Sequence, residues 1–145
     1  MHIRQYKFGK DKKFPTRSGV ALRLRNVKML INRMPQIREA LGRLVMGQKV
    51  HESYHLGNAV FASVDTPHRG VEIRKHYKTR DGKEVAGEQG FFVNYGDEWY
   101  RFATAMSEVE RCTPELGEIQ LCTDIHQNQM SYFECIDCCP FPNKL

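Results

Sequence analysis

Apolar side chains recur along the chain with two periods, and the change from the shorter to the longer happens twice. His2–Phe8 alternates, with Ile3, Gln5 and Lys7 on one side and Arg4, Tyr6 and Phe8 on the other, the period of a half-buried strand. Gly9–Gly19 reads as a loop by its Gly and Pro punctuation. Val20–Leu24 alternates again and predicts a second strand. From Asn26, a residue suited to cap a helix, Val27, Leu30, Ile31, Met34, Ile37, Leu41, Leu44 and Val45 fall at helical spacing in one stripe. Pro35 lies inside that stripe and predicts a kink or break; Gly47 predicts the stop.

The cycle then repeats. Gln48–Gly57 reads as a linker, and Asn58–Val64 alternates as a strand. Thr66–Gly70 has the composition of a turn and leads into Val71–Lys78, where Val71, Ile73, Lys75 and Tyr77 share one face and Glu72, Arg74, His76 and Lys78 the other. Thr79–Gly90 reads as a loop whose tightest turn is Asp81-Gly82, and Phe91–Asn94 as the last strand. Asp97 is placed to cap a helix whose apolar side is Trp99, Phe102, Ala103, Met106 and Val109. Beyond a Pro- and Gly-containing link, Glu118–Ile125 and Met130–Asp137 alternate about Gln127-Asn128-Gln129 and predict a hairpin.

The two cycles share residues as well as periods. Ile3-Arg4-Gln5-Tyr6 answers Ile73-Arg74-Lys75-His76-Tyr77, and Gly19-Val20-Ala21-Leu22 answers Gly90-Phe91-Phe92-Val93. The expected organisation is therefore a truncated strand–strand–helix copy at 1–47 and a linker at 48–57. A strand–strand–strand–helix copy at 58–112 and an extension at 113–145 follow. The first copy lacks an opening strand. The extension's Glu118–Asp137 hairpin could complete the first sheet by covering its open edge, which would otherwise invite aggregation.

Charge separates the copies. Residues 1–50 hold 13 Lys and Arg against two acids, whereas residues 51–112 hold eight against ten. A basic first third suits a polyanion, because each neutralised phosphate releases condensed counterions. Lys10, Lys12, Lys13 and Arg17 surround Phe14. Either the ring stacks on a base while the cations track phosphates, or it tucks into the core and the cations keep the loop soluble. With 41% apolar and 27% charged residues and only short apolar runs, the composition is that of a globular domain without a membrane span. The N-terminus lacks the apolar centre of a secretory signal, so an intracellular protein is expected.

The order Ile-Arg-x-x-aromatic, loop, Gly-hydrophobic-x-hydrophobic-Asn, Glu-Trp is carried here by Ile73-Arg74-Lys75-His76-Tyr77, then Glu88-Gln89-Gly90-Phe91-Phe92-Val93-Asn94, then Glu98-Trp99. It resembles the positive-cofactor-four family of transcriptional coactivators over roughly residues 56–111. A second, weaker match runs over residues 3–37, with Pro15-Thr16-Arg17-Ser18-Gly19 in the family's basic segment. The resemblance implies an α+β fold of curved antiparallel sheets, each followed by a helix, with the two copies paired through their helices in one chain, a covalent pseudo-dimer. It implies binding of single-stranded DNA or melted duplex, with RNA left open, in transcription, replication or repair. A nuclear location, or a replication compartment if the protein is viral, goes with that role, as do transcription or replication proteins as partners. The chain would then be a monomeric pseudo-dimer or a homodimer. The site residues implied by position and charge are Arg4, Tyr6, Lys7, Phe8, Lys10, Lys12, Lys13, Phe14 and Arg17 in the first copy. In the second they are His68, Arg69, Arg74, Lys75, Tyr77, Lys78, Arg80 and Lys83. Glu88 and Gln89 stand where the family places cations, so the two grooves should be unequal.

Other chemistry is thinner. Cys122, His126, Cys135 and Cys138 have zinc-type identities at short spacing, although small buried thiols would serve equally well. His51 and His55 would share a face if helical, but lack a third ligand. The cysteines lie in an acidic stretch, which raises a thiol's pKa and disfavours a nucleophile. No phosphate-cradling Gly loop or nucleophile elbow occurs. A binding protein without cofactor is expected, with a protein-interaction module that has lost its groove as the alternative to a nucleic-acid binder.

Overall fold

The computed structural model describes residues 1–8, 13–119 and 121, with side chains for residues 1–4, 19–119 and 121. Strands β1 (His2–Phe8) and β2 (Lys13–Ala21) form a hairpin that leads into helix α1 (Leu24–Val45). Strands β3 (His51–His55), β4 (Val60–Asp65), β5 (Gly70–Lys78) and β6 (Glu84–Asn94) follow as a meander, then helix α2 (Asp97–Cys112) and a 3-10 turn at Pro114–Glu118. All six strands lie in one antiparallel sheet, in the order β1-β2-β6-β5-β4-β3. The fold is α+β, and the strands of both sequence copies belong to a single sheet rather than two.

Several boundaries differ from the expected ones, each for a local reason. Residues 48–57, expected as a linker, contain β3. This edge strand carries the polar run His-Glu-Ser-Tyr-His, which suits a strand paired on one side only. Its two histidines sit at opposite ends of a strand, not on one turn of a helix. The stretches read as loops before Gly19 and Gly90 are largely strand, because β2 begins at Lys13 and β6 at Glu84. Helix α1 runs unbroken through Pro35, which is exposed; a proline on a solvent-facing turn removes one N–H where the lost bond can be hydrated.

Both helices cover one face of the sheet. Val20, Val60, Ala62, Val64, Val71, Ile73, Phe91 and Val93 point into a single core with Val27, Leu30, Met34, Ile37, Leu41 and Leu44 of α1 and Trp99 and Met106 of α2. Each fully buried Leu, Ile or Val in this set contributes about 1.5–3 kcal/mol relative to exposure. Helix α1 packs on β4 and β5, strands of the other sequence copy, whereas α2 packs on β6 and touches α1. Leu116 of the 3-10 turn closes the helix layer, and the Ile119 carbonyl accepts from Lys28 Nζ on α1. The hairpin expected to cover the first sheet's open edge lies almost wholly outside the described residues.

Asn26 ties the copies together. It sits in the first turn of α1 rather than at the cap, which is Arg23, and is only 1% exposed. Its Oδ1 accepts from the Arg23 N–H at 3.0 Å, and its Nδ2 donates to the carbonyls of Leu56 and Gly57, both at 2.9 Å. A buried amide satisfied on both ends fixes the start of α1 against the β3–β4 turn.

The two hairpins share an irregularity of register. β1 pairs Arg4 with Gly19 and then Tyr6 with Pro15; β5 pairs Arg74 with Gly90 and then His76 with Ala86. Each hairpin thus shifts register at the same place and in the same sense. The two hairpins meet where Gly19 pairs with Gly90, so residues equivalent in the repeat lie opposite each other. No side chain fits there. A Cβ on Gly19 would come within 2.6 Å of the Ile3 carbonyl oxygen, and one on Gly90 within 2.8 Å of the Ile73 carbonyl oxygen.

Gly19→Ala and Gly90→Ala should each destabilise the protein by about 1–3 kcal/mol through overpacking against backbone. Gly42→Ala, in open space on α1, should stabilise it by up to about 1 kcal/mol. Asn26→Ala should cost about 1–3 kcal/mol by leaving buried carbonyls unpaired. Urea midpoints of the four variants check the pattern, and equal midpoints for Gly42→Ala and Gly90→Ala would contradict it.

Candidate nucleic-acid interface

Among the described residues no helix packs on the face of the sheet away from α1 and α2, and strand register fixes what that face carries. One row of paired residues crosses all six strands: His55, Phe61, Arg74, Gly90, Gly19 and Arg4. The next row on the same face is Ser53, Ser63, Glu72 and Phe92. The centre of this face is therefore a pair of buried glycines, with the Arg74 side chain against Gly90 and Arg4 against Gly19, the two arginines that match in the sequence repeat. Glycine permits close approach of another chain or ligand at such a place.

Antiparallel pairing at Gly19 and Gly90 sends the two hairpins in opposite directions. Lys13 and Glu84 are each six residues from the paired glycines, so each arm extends about 20 Å from the centre. The first arm projects from the end of the sheet that carries Asn94 and the β4–β5 turn. The second arm, with its Thr79–Lys83 turn, projects from the other end.

The residues expected to bind nucleic acid fall into distinct groups on this frame. Arg4 is exposed on β1. Tyr6, Lys7 and Phe8 lie on β1, and Lys13, Phe14 and Arg17 on β2, all in the first arm. Lys10 and Lys12 lie outside the described residues, as do Cys122, His126, Cys135 and Cys138. Exposed His68 and Arg69 occupy the β4–β5 turn, at the end from which the first arm projects. Exposed Lys78, Arg80 and Lys83 cluster at the tip of the second arm, around the turn closed by the Gly82 N–H donating to the Thr79 carbonyl. Tyr77, 54% exposed, and Lys75 alternate with Arg74 along β5 and lie on the opposite side of the strand from it. The structure thus separates Tyr77 from Arg74.

Arg74 is already engaged. Its Nε pairs with the Glu72 carboxylate, and its Nη1 donates to the carbonyls of Gly87 at 2.9 Å and Glu88 at 3.3 Å. The guanidinium thereby satisfies backbone acceptors exposed by the register shift in β6, so its first task is to hold the hairpin's bend. A second partner for it would have to compete with these bonds.

Phe61 and Phe92, outside the basic and Ile-Arg segments, line the same face. Phe61 lies between two imidazoles, with centroids 5.1 Å from His55 and 4.7 Å from His76. His55 Nε2 accepts from the Ala59 N–H at 3.2 Å, which leaves the ring proton on Nδ1. Phe92 lies across Gly70, edge-on to His68 at 6.4 Å. With Ser63, Asp65 and Glu72 these two rings wall a cavity of about 190 Å³. The signal was present in Phe91-Phe92-Val93: strict alternation puts the middle phenylalanine outward, where an apolar residue is unexpected.

No group of three or more His, Cys, Asp or Glu among the described residues is placed to hold a metal ion, and no described helix is long and apolar enough to cross a membrane. Comparison with protein-family models, curated proteins and solved structures returned no match for this chain.

Burial lowers the pKa of His76, with Arg74 acting in the same sense and Glu72 and Glu84 opposing. The unfolded chain therefore binds a proton more readily at this position than the folded one does. Its effect on stability is absent above the ordinary imidazole value of about 6.5 and becomes destabilising as pH falls below it. The melting temperature of the wild type should drop on acidification from pH 7.5, and the drop should be smaller in His76→Gln. An identical drop in both would show that His76 does not titrate against folding.

Proposed function

We propose that the protein binds single-stranded nucleic acid along the open face of its sheet, as a non-enzymatic factor in transcription, replication or repair. The observation that carries this reading is the pairing of Gly19 with Gly90 between two hairpins that share one register shift. It supports two copies of one unit related by a local two-fold, a covalent counterpart of the dimer implied by the positive-cofactor-four resemblance. Contact between α1 and α2 agrees with that arrangement.

In this reading a strand lies along the arms and over the glycine centre. Cations of the first arm, Lys7, Lys10, Lys12, Lys13 and Arg17, neutralise phosphates, while exposed rings stack on bases. Single-stranded DNA or the melted strand of a duplex is the ligand, with the nucleus or a viral replication compartment as its setting. Arg74 turns inward to Glu72 and to carbonyls of its own hairpin, so the second copy contributes less charge than the first. That same engagement favours the second reading, a protein-interaction module that keeps the fold.

Filter binding with labelled single and double strands tests the proposal. Affinity should favour the single strand, and neutralising four phosphates would weaken it by about 50-fold between 50 and 200 mM salt. A Lys13→Glu, Arg17→Glu double variant should lose at least about tenfold in affinity at the lower salt. Unchanged affinity in that variant would favour the interaction module, and equal weak binding to single and double strands would count against the nucleic-acid reading.

A further inference from the structure

We propose that the cavity walled by Phe92, His68, Ser63, Asp65 and Glu72 is a guanine subsite, so that the second copy reads base identity while the first holds phosphates. The inference rests on the single-strand reading above and deepens it.

The cavity is wrong for phosphate and right for a base. Its charged walls are carboxylates, Asp65 and Glu72, which repel a phosphodiester. Its apolar wall is the Phe92 ring, which packs across Gly70 with the His68 imidazole edge-on to it. At about 190 Å³ it suits one flat ring system rather than a larger ligand. Asp65 meets His51 Nδ1 at 3.4 Å, and Glu72 meets Arg74. Those contacts hold both carboxylates in place, and a carboxylate, with about four lone-pair sites, keeps acceptor capacity beyond one such contact.

Donor and acceptor chemistry then selects among the bases. A carboxylate can only accept. Guanine presents two adjacent donors on its pairing edge, N1–H and the 2-amino group, which match the two oxygens of one carboxylate. Adenine and cytosine offer a single amino group beside an acceptor nitrogen. Thymine and uracil flank their one N–H with two carbonyl oxygens, which the carboxylates repel. The Ser63 hydroxyl can donate to the guanine O6 or accept from an amino group.

Position agrees with this division of labour. β2 runs antiparallel to β6 through Gly19 and Gly90, so the basic first arm projects from the end of the sheet where Phe92, Asn94 and His68 lie. A strand whose phosphates follow Lys13 and Arg17 would bring its bases toward this cavity. The loss of cations at Glu88 and Gln89 then reflects a change of task in the second copy: from phosphate to base.

The test is fluorescence anisotropy with the full chain and single-stranded oligonucleotides of about twelve nucleotides, all thymidine or carrying one central dG, dI, dA or dC. The dG strand should bind about tenfold more tightly than the all-thymidine strand, and dI, which lacks the 2-amino group, should fall between them. Glu72→Gln, Asp65→Asn and Phe92→Leu should each reduce the dG preference while binding to the all-thymidine strand is retained, which also reports that the variants are folded. Equal affinity of the wild type for the dG and all-thymidine strands would overturn the subsite and leave the single-strand reading standing. A dG preference unchanged in all three variants would likewise overturn it. Failure of the wild type to bind any of the strands would overturn both.

Discussion

Two glycines set the geometry of this protein. Gly19 and Gly90 face each other where β2 meets β6, and a larger residue at either would strike the backbone of its own hairpin partner, β1 or β5. Without the pairing of β2 with β6 the two hairpins would be separate ribbons, and a two-stranded ribbon is marginal in water. With it they become the middle of a six-stranded sheet, and the helices acquire a surface broad enough to bury both their apolar stripes. The opposed directions of the arms and the proximity of the first arm to the Phe92 end both follow from that one pairing.

The elements that the chain announces most plainly are those whose burial is one-sided and regular. Val27, Leu30, Met34, Ile37, Leu41 and Leu44 lie on the buried side of α1 as their spacing requires, and Val71 and Ile73 alternate with Glu72 and Arg74 as a half-covered strand must. What stayed hidden depends on long-range pairing. The first six residues of β2 carry Pro15, Ser18 and two cations, a loop's composition, yet they pair with β1 because a hairpin arm needs backbone partners more than apolar side chains. β3 was concealed in the same way by its polar edge position. Asn26 was legible as a helix-start residue, but nothing local could say that its amide would reach across to Leu56 and Gly57.

The candidate site divides along the same line. Basic residues and the tyrosines of the Ile-Arg segments are visible in one dimension, because charge and aromatic identity need no fold to be seen. Which of them share a surface is not visible. Register places Arg74 with Phe61, Glu72 and Phe92 and puts Tyr77 on the other side of β5. The same register brings Asp65 and Glu72, unremarkable acids in the chain, beside a phenylalanine whose outward position was the one anomaly in its strand.

The crossing of α1 onto β4 and β5 bears on how the chain is made. During synthesis the first hairpin and α1 emerge with the apolar face of the helix uncovered, since the strands it packs on lie 15 or more residues past its end. That face can be buried only after β5 has left the ribosome, and β6 must follow before Gly19 finds its partner. The halves therefore cannot mature one after the other as tandem domains do. The two halves share one core, and neither retains a core of its own to fall back on.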